Sequence, residues 1–225
     1  MQRSHIVANS RKKALTKHLP TLHTGMMSET EHTTRHLRMR DPSSWFCRFQ
    51  PLIKAKGSLL DVAAGGGRHV RHFCDAGFRV TAVDQNIEPL SPFADTHGAE
   101  IIQANLESGA PWPLDRRNFD AVIVCNYLFR PLFDDLLRAL APGGVLLYET
   151  FALGNEVFSR PRNPDHLLRS GELLSLVEGR LQVIAYQHGI VDGGECPGVK
   201  QMICAVNNLQ SATRQDGQPN PLALP

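Results

Sequence analysis

The chain of 225 residues has the length of one α/β domain or of two small domains, and it can bury a sizeable core. Hydrophobic residues make up 42% and charged residues 20% of it, which excludes a wholly disordered protein. No apolar stretch approaches the roughly 18–20 residues of a membrane span, and no segment has the pattern of a secretory signal. We therefore expect a globular protein without a membrane partner.

The cysteines indicate a reducing compartment. There are five of them, an odd number, and none forms a Cys-x-x-Cys pair. This pattern argues against a disulfide framework and against a zinc site. We expect a cytoplasmic protein that holds no metal.

The net charge of +2 is unevenly distributed. Residues 1–40 carry eight basic and two acidic side chains, whereas the rest of the chain has a net charge of −4. Nucleic-acid-binding domains usually carry positive charge on the folded surface, so this distribution argues against a nucleic-acid partner.

The two ends of the chain differ from its middle. Residues 1–40 lack apolar periodicity and are interpreted as a basic, disordered arm; an extension upstream of a true start at Met26 or Met27, or a targeting segment, are the alternatives. Residues 207–225 are rich in Asn, Gln and Pro and are interpreted as a flexible tail. The folded domain is expected over residues 41–206.

Within this domain, predicted strands and helices alternate. Periodicity predicts four helices. The first covers residues 68–76, the second follows Asp84, the third begins at Pro131 and is ended by residues 142–144, and the fourth lies around residues 172–177. Apolar runs predict seven strands, at residues 58–63, 78–83, 99–103, 119–125, 145–150, 181–191 and 199–206. The short connection between the last two forces them to be antiparallel. We expect a doubly wound, Rossmann-like α/β fold, with a mostly parallel seven-stranded sheet, a terminal antiparallel strand and helices on both faces.

A glycine run marks the candidate ligand site. Gly65, Gly66 and Gly67 lie between the first strand and the first helix, where a backbone passes close to a ligand. Asp84 ends the second strand, where a carboxylate can accept hydrogen bonds from both hydroxyls of a ribose. NAD sites and S-adenosylmethionine sites share this pair of features.

Two details favour S-adenosylmethionine. Val70 occupies the position where a dinucleotide-binding loop has a third Gly or an Ala. Asp61, just before the loop, would repel a pyrophosphate and attract the amino group of a methionine. An NAD-dependent oxidoreductase and a glycine loop that only turns the chain remain as alternatives.

Three segments resemble the class I S-adenosylmethionine-dependent methyltransferases. They are Leu60-Asp-Val-Ala-Ala-Gly-Gly-Gly, Val80-Thr-Ala-Val-Asp84 and Leu140-Ala-Pro-Gly-Gly-Val-Leu, and the resemblance extends over about residues 45–206. Within the class, the chain resembles small bacterial enzymes related to the tellurite-resistance methyltransferases. Residues 155–168 mark a subgroup without an assigned substrate.

The resemblance implies roles for the first strand and its loop. Asp61 is expected to bind the methionine amine of the cofactor, and Ala63, Gly65 and Gly67 to form the loop beneath it. Ala63 replaces the first glycine of the family pattern, a change that is tolerable if its φ angle is negative.

It also implies roles at the ends of the next strands. Asp84 is expected to hold the ribose, and Gln85 to flank the adenine. Asn105 replaces an acid that often binds the adenine amino group, and it keeps an acceptor oxygen for this purpose; Leu106 supplies the adjacent amide. Asn126 is expected to touch the methionine end.

The acceptor side is less defined, and no catalytic residue is assigned. Glu149 and His188 are candidate bases because they lie at strand ends. Tyr127 and Tyr148 are candidate bases for the same reason. The candidate substrate contacts are Tyr127, Tyr148, Arg160 and Arg162. Cys125 is interpreted as a packed small hydrophobe, and His69 as a solvated or core-edge histidine.

We therefore expect an S-adenosylmethionine-dependent methyltransferase that acts on a small molecule by in-line displacement. The Asn-Pro-Pro-aromatic motif of base-modifying enzymes is absent after the fourth strand, where the chain has Asn126-Tyr-Leu-Phe129. Methylation of RNA or another macromolecule, and a non-catalytic S-adenosylmethionine-binding module, remain as alternatives. Nothing in the sequence predicts an oligomeric state.

Overall fold

The computed structural model describes residues 40–192 and 196–209, without the side chains of Thr96 and His97. All of the predicted arm except Arg40, and the predicted tail beyond residue 209, lie outside the described residues. The domain limits therefore stay predictions. No helix within the described ranges is long and apolar enough to cross a membrane.

Seven strands in the described part of the chain form one sheet. They are β1 (Ser58–Val62), β2 (Arg79–Asp84), β3 (Glu100–Gln103), β4 (Phe119–Cys125), β5 (Leu140–Phe151), β6 (Gln182–Val191) and β7 (Gly198–Val206). Their order is β3-β2-β1-β4-β5-β7-β6. Only β7 runs against its neighbours, and it lies between β5 and β6. The predicted fold class is confirmed.

Helices cover both faces of this sheet. They are α1 (Ser44–Phe49), α2 (Arg68–Asp75), α3 (Ser91–His97), α4 (Phe133–Arg138) and α5 (Glu172–Val177). Alternate residues of the central strands point to opposite faces, so Leu59 and Ile123 pack with α1 and α2. Leu60 and Val122 pack with α4 and α5 on the other face. The result is a three-layer domain.

The parallel register brings the ends of three strands together. Val62 of β1 pairs with Val83 of β2 on one side and with Val124 of β4 on the other. The residues that follow these three positions therefore emerge side by side. Ligands bind at such carboxyl ends in doubly wound sheets, at the point where the strand order reverses.

The start of β5 differs from the prediction. Helix α4 ends at Arg138, and residues 140–144 join the sheet instead of ending a helix. Leu140 pairs with Phe119, and a register shift follows before Val145 pairs with Ala121. A Cβ atom on Gly144 would lie 2.8 Å from the carbonyl oxygen of Phe119, so glycine permits this close approach.

Candidate active site

A cavity of about 250 Å³ opens at the carboxyl ends of β1, β2, β3 and β4. Eight of the predicted site residues line it: Ala63, Gly65, Asp84, Gln85, Asn105, Leu106, Asn126 and Tyr127. Gly66, Arg68, His69, Glu107 and Cys125 belong to the rest of its lining. The parallel register of the strands thus brings most of the candidate residues together at the carboxyl edge of the sheet.

The glycine loop has a left-handed backbone at three positions. Gly65 and Gly67 have φ angles of 57° and 76°, and Ala63 has a φ angle of 55°. The condition of a negative φ angle at Ala63 is therefore not met: the backbone is left-handed there although the residue carries a Cβ atom. Left-handed backbone costs an L-residue about 1–2 kcal/mol.

Gly67 has a packing role. It caps the start of α2 and is buried, and it is not among the residues that line the cavity. A Cβ atom there would meet the ring of Phe93. Its left-handed backbone and this contact both require glycine.

Asp84 is held in place by backbone N–H groups. Its Oδ2 atom accepts a hydrogen bond from the Gly65 N–H at 2.8 Å, and its Oδ1 atom accepts one from the Asn86 N–H at 2.9 Å. Each carboxylate oxygen keeps a further lone pair. The acid therefore links β2 to the glycine loop and retains acceptor capacity toward the cavity.

Asp61 lies deeper than the cavity lining. It is 1% exposed, and its Oδ2 atom is buried without a hydrogen-bond partner among the described residues. Burial raises the pKa of this carboxyl to about 8; the Arg68 cation opposes this rise and Asp84 adds to it. An unpartnered carboxylate oxygen at this depth suits a cationic hydrogen-bond donor.

Asn105 forms part of a turn after β3. Its Oδ1 atom accepts a hydrogen bond from the Glu107 N–H at 3.0 Å. The oxygen that the sequence assigns to the adenine amino group is therefore already used once, and one lone pair remains. Gln103 holds the facing turn by donating to the backbone oxygen of Gln85 at 3.1 Å.

Asn126 turns the chain at the end of β4. Its φ angle is 55°, a conformation that Asn tolerates better than most residues. Its N–H donates to the Glu149 backbone oxygen, and its Oδ1 atom accepts a hydrogen bond from Lys200 at 2.9 Å. Its Nδ2 atom is buried and has no partner among the described residues.

The two candidate tyrosines differ in position. Tyr127 lines the cavity, and its hydroxyl is buried without a hydrogen-bond partner among the described residues. Burial and the nearby charge of Glu107 raise the pKa of this hydroxyl. Tyr148 is 1% exposed, and its hydroxyl donates to the Tyr127 backbone oxygen at 3.0 Å. Tyr148 thus supports the residue that lines the cavity.

Arg160 and Arg162 lie apart from this lining. Both are exposed on the loop after β5, and neither is among the residues that surround the cavity. The buried side chain of Asn155 holds this loop by donating to the backbone oxygens of Ser159 and Pro161, while it accepts from the Val199 N–H.

Two residues that follow the glycine run were missed as site residues. Arg68 lines the cavity, donates to the backbone oxygen of Asp41 at 2.8 Å and contacts the Cys125 sulfur at 3.1 Å. His69 is 3% exposed, so it is not solvated; it lies at the edge of the core, on the cavity lining and against the ring of Phe46. Burial holds its pKa well below the ordinary value, and its Nε2 atom accepts from the Ser43 N–H. The sequence signal that could have identified Arg68 and His69 as site residues was their position directly after the glycine loop.

A buried ion pair beside the cavity was also missed. Lys200 of β7 and Glu149 of β5 are 4% and 6% exposed, and their charged atoms lie 2.9 Å apart. Burial opposes ionisation of Glu149, but the Lys200 ammonium and the Ser43 hydroxyl lower its pKa below the usual value. The carboxylate of Glu149 is therefore engaged in the ion pair with Lys200. No cluster of metal-ligating side chains occurs among the described residues.

A methyltransferase domain family matches residues 59–144, from β1 into β5. A malonyl-[acyl-carrier protein] O-methyltransferase from Pseudescherichia vulneris is 33% identical over 105 residues, which cover 44% of this chain and 40% of that protein. The chain spans less than half the length of the curated relatives it matches.

Solved structures share the fold. A methyltransferase described as S-adenosylmethionine-dependent, from Methanosarcina mazei, superposes with a TM-score of 0.58 at 16% identity and covers 74% of this chain and 98% of its own. TehB from Haemophilus influenzae superposes with a TM-score of 0.56 at 14% identity, over 73% of this chain and 61% of its own. The family match over residues 59–144 and the shared fold agree with the predicted resemblance to the class I, S-adenosylmethionine-dependent methyltransferases.

Proposed function

We propose that the protein transfers the methyl group of S-adenosylmethionine to a small-molecule acceptor. The observation that carries this proposal is the cavity at the ends of β1, β2 and β4, where the glycine loop, Asp84 and Asn126 converge. The domain family match supports the cofactor. The concave site supports a small acceptor, because small ligands are bound in clefts with a few convergent polar groups.

The unpartnered oxygen of Asp61 fits the amino group of the cofactor. A buried carboxylate oxygen without a donor is costly, and an ammonium group supplies both a donor and a compensating charge. The side chain sits in β1 directly before the loop, so it acts from beneath the bound ligand. Arg68, on the cavity lining, offers a cation to the cofactor carboxylate.

Asp84 fits the ribose. Two backbone N–H groups already hold its carboxylate, so little side-chain freedom is lost when it accepts the hydroxyls of a ligand. Asn105, Leu106 and Gln85 line the same end of the cavity and form the adenine end of the proposed site.

Bound S-adenosylmethionine would supply a methyl group made electrophilic by its sulfonium sulfur, which would keep the electrons of the broken carbon–sulfur bond as the lone pair of the acceptor forms the new bond to carbon. The role of the protein is to align the acceptor and exclude water. The raised pKa of Tyr127 keeps its hydroxyl protonated at neutral pH, so this group is available as a hydrogen-bond donor to a bound ligand and does not act as a base. An acceptor that is already nucleophilic at neutral pH suits this site.

Two measurements test the proposal. Isothermal titration calorimetry with S-adenosylhomocysteine and with NAD decides the cofactor, and binding of NAD alone overturns it. Transfer from methyl-labelled S-adenosylmethionine is then screened across thiol, halide, amine and metalloid acceptors, with RNA as the macromolecular arm. Transfer to a small acceptor supports the proposal. Labelling of RNA alone with salt-dependent retention, or binding without any transfer, overturns the small-molecule assignment.

A further inference from the structure

Lys200 makes contacts that are unusual for a lysine. It is 4% exposed, and its Nζ atom lies 2.9 Å from Oε1 of Glu149 and 2.9 Å from Oδ1 of Asn126. The same atom lies 5.1 Å from the centre of the Phe151 ring. Two of its three N–H groups therefore have acceptors, and the ammonium also lies over an aromatic face.

The contact between Lys200 and Asn126 decides which way the amide of Asn126 points. An ammonium group only donates hydrogen bonds, so it must face the oxygen of the amide and never its nitrogen. The Nδ2 atom of Asn126 is then turned away from Lys200, in a residue that lines the cavity. This nitrogen is buried and has no partner among the described residues. A buried donor without an acceptor is costly unless a ligand supplies one.

The order of the strands indicates which part of the ligand meets this donor. Asp84 and Asn105 follow β2 and β3, and β4 lies on the opposite side of β1. A cofactor whose adenosine extends over the ends of β2 and β3 therefore has its amino-acid end over β1 and β4. That end carries an ammonium and a carboxylate, and only the carboxylate accepts hydrogen bonds.

We propose that Lys200 is a positioning residue that orients the Asn126 amide so that its Nδ2 atom donates to the carboxylate of the bound cofactor. Glu149 neutralises the lysine and holds it in place, and its second oxygen accepts from the hydroxyl of Ser43, the N-cap of α1. This inference rests on the proposed function, because it requires that the cavity binds S-adenosylmethionine.

The test compares two ligands that differ only in the amino-acid end. S-adenosylhomocysteine carries it, whereas 5′-methylthioadenosine has the same adenosine and thioether without it. Calorimetry of the full chain gives both dissociation constants for wild type, Lys200→Met/Glu149→Gln and Lys200→Arg. We expect the double variant to bind S-adenosylhomocysteine about tenfold more weakly, with unchanged binding of 5′-methylthioadenosine, and Lys200→Arg to restore most of the loss.

Two further variants keep the test decisive if the double variant is unstable. Asn126→Asp retains a partner for Lys200 but removes the donor, so it should weaken S-adenosylhomocysteine alone. Lys54→Met, at a lysine whose side chain is 76% exposed, is the matched control and should change neither constant. Equal losses for both ligands, or no loss for either, overturn the positioning role. Failure of wild type to bind either ligand overturns the proposed function instead.

Discussion

The carboxylate of Asp84 and the backbone N–H of Gly65 are joined by a hydrogen bond of 2.8 Å that links the end of β2 to the glycine loop after β1. The residue that the sequence assigns to the ribose thus also holds the loop on which the cofactor is proposed to lie. Its substitution therefore affects the site twice, through a lost ligand contact and through a less constrained loop.

We expect Asp84→Ala to weaken the binding of S-adenosylhomocysteine by about 2–3 kcal/mol, because charge-assisted hydrogen bonds contribute roughly 1.5 kcal/mol or more each. Calorimetry measures the change. Asp115→Ala, at an acid whose side chain is 85% exposed, is the control and should bind as wild type does. An unchanged dissociation constant for Asp84→Ala would place the ribose elsewhere.

The raised pKa of Asp61 predicts that cofactor binding depends on pH. The pKa of about 8 means that this carboxyl is protonated at pH 6, and binding of an ammonium requires its ionised form. The dissociation constant for S-adenosylhomocysteine should therefore fall by about tenfold per pH unit between pH 6 and 7.5. Asp61→Asn should bind weakly and show a flat profile. A flat profile in wild type contradicts the assignment.

The same pKa predicts a dependence of stability on pH. Between its ordinary value of 3.8 and about 8, the folded protein keeps a proton on Asp61 that the unfolded chain releases. The contribution of Asp61 to the free energy of unfolding therefore falls as pH rises through this range. Urea unfolding of ligand-free wild type and Asp61→Asn from pH 5 to 8 measures this contribution as the difference between the two free energies of unfolding. If the difference between the two proteins stays constant with pH, the carboxyl is already ionised in the folded state.

The left-handed backbone of Ala63 predicts a stabilising substitution. Ala63→Gly should raise the free energy of unfolding by about 1 kcal/mol, because glycine adopts this conformation without the steric cost of a Cβ atom. Ala64→Gly, one residue further on, lacks this strain and should lower it by about 0.5–1 kcal/mol. Denaturant unfolding of the two variants checks the difference in sign. Destabilisation by both variants would show that Ala63 is not strained.

Arg130 joins three parts of the chain. Its guanidinium makes two hydrogen bonds to the Glu172 carboxylate, at 2.6 and 2.9 Å, and donates to the backbone oxygens of Asp165 and Leu167. Arg130→Ala should lower the free energy of unfolding by about 2 kcal/mol, because it leaves these acceptors without their donor. Arg180→Ala breaks the exposed pair with Asp134 and should cost less than about 1 kcal/mol. Similar losses from both variants would contradict this reasoning.

Arg160 and Arg162 remain candidate contacts for an anionic acceptor or for the cofactor carboxylate. Loss of turnover at unchanged cofactor affinity in Arg160→Ala or Arg162→Ala supports the first role, and loss of cofactor affinity the second. The guanidinium group suits either anion. Calorimetry and methyl transfer on the same preparations separate these outcomes. Normal binding and turnover in both variants would show that the loop has only a structural role.

The sequence by itself determined the fold class and the position of the cavity. Apolar runs, glycine stops and the short connection before β7 are local signals, and they predicted seven strands in a doubly wound sheet. The residues that end the strands then follow from the rule that parallel strands meet at one edge. Asp84 was predicted in this way, whereas Ala63 and Asn126 were implied by the resemblance to the methyltransferases.

Only the tertiary structure decided how these residues are oriented. Lys200 meets Asn126 across 74 positions of sequence, and the contact exists because β7 inserts antiparallel beside β5. The left-handed turn at Ala63 overrides the preference of that residue, since the register of β1 and β2 sets the path of the loop. Sequence periodicity predicts which face of a helix or strand a residue occupies. A hydrogen bond also requires that both partners are placed to within about 0.5 Å, and only the packing of the folded chain places them so closely.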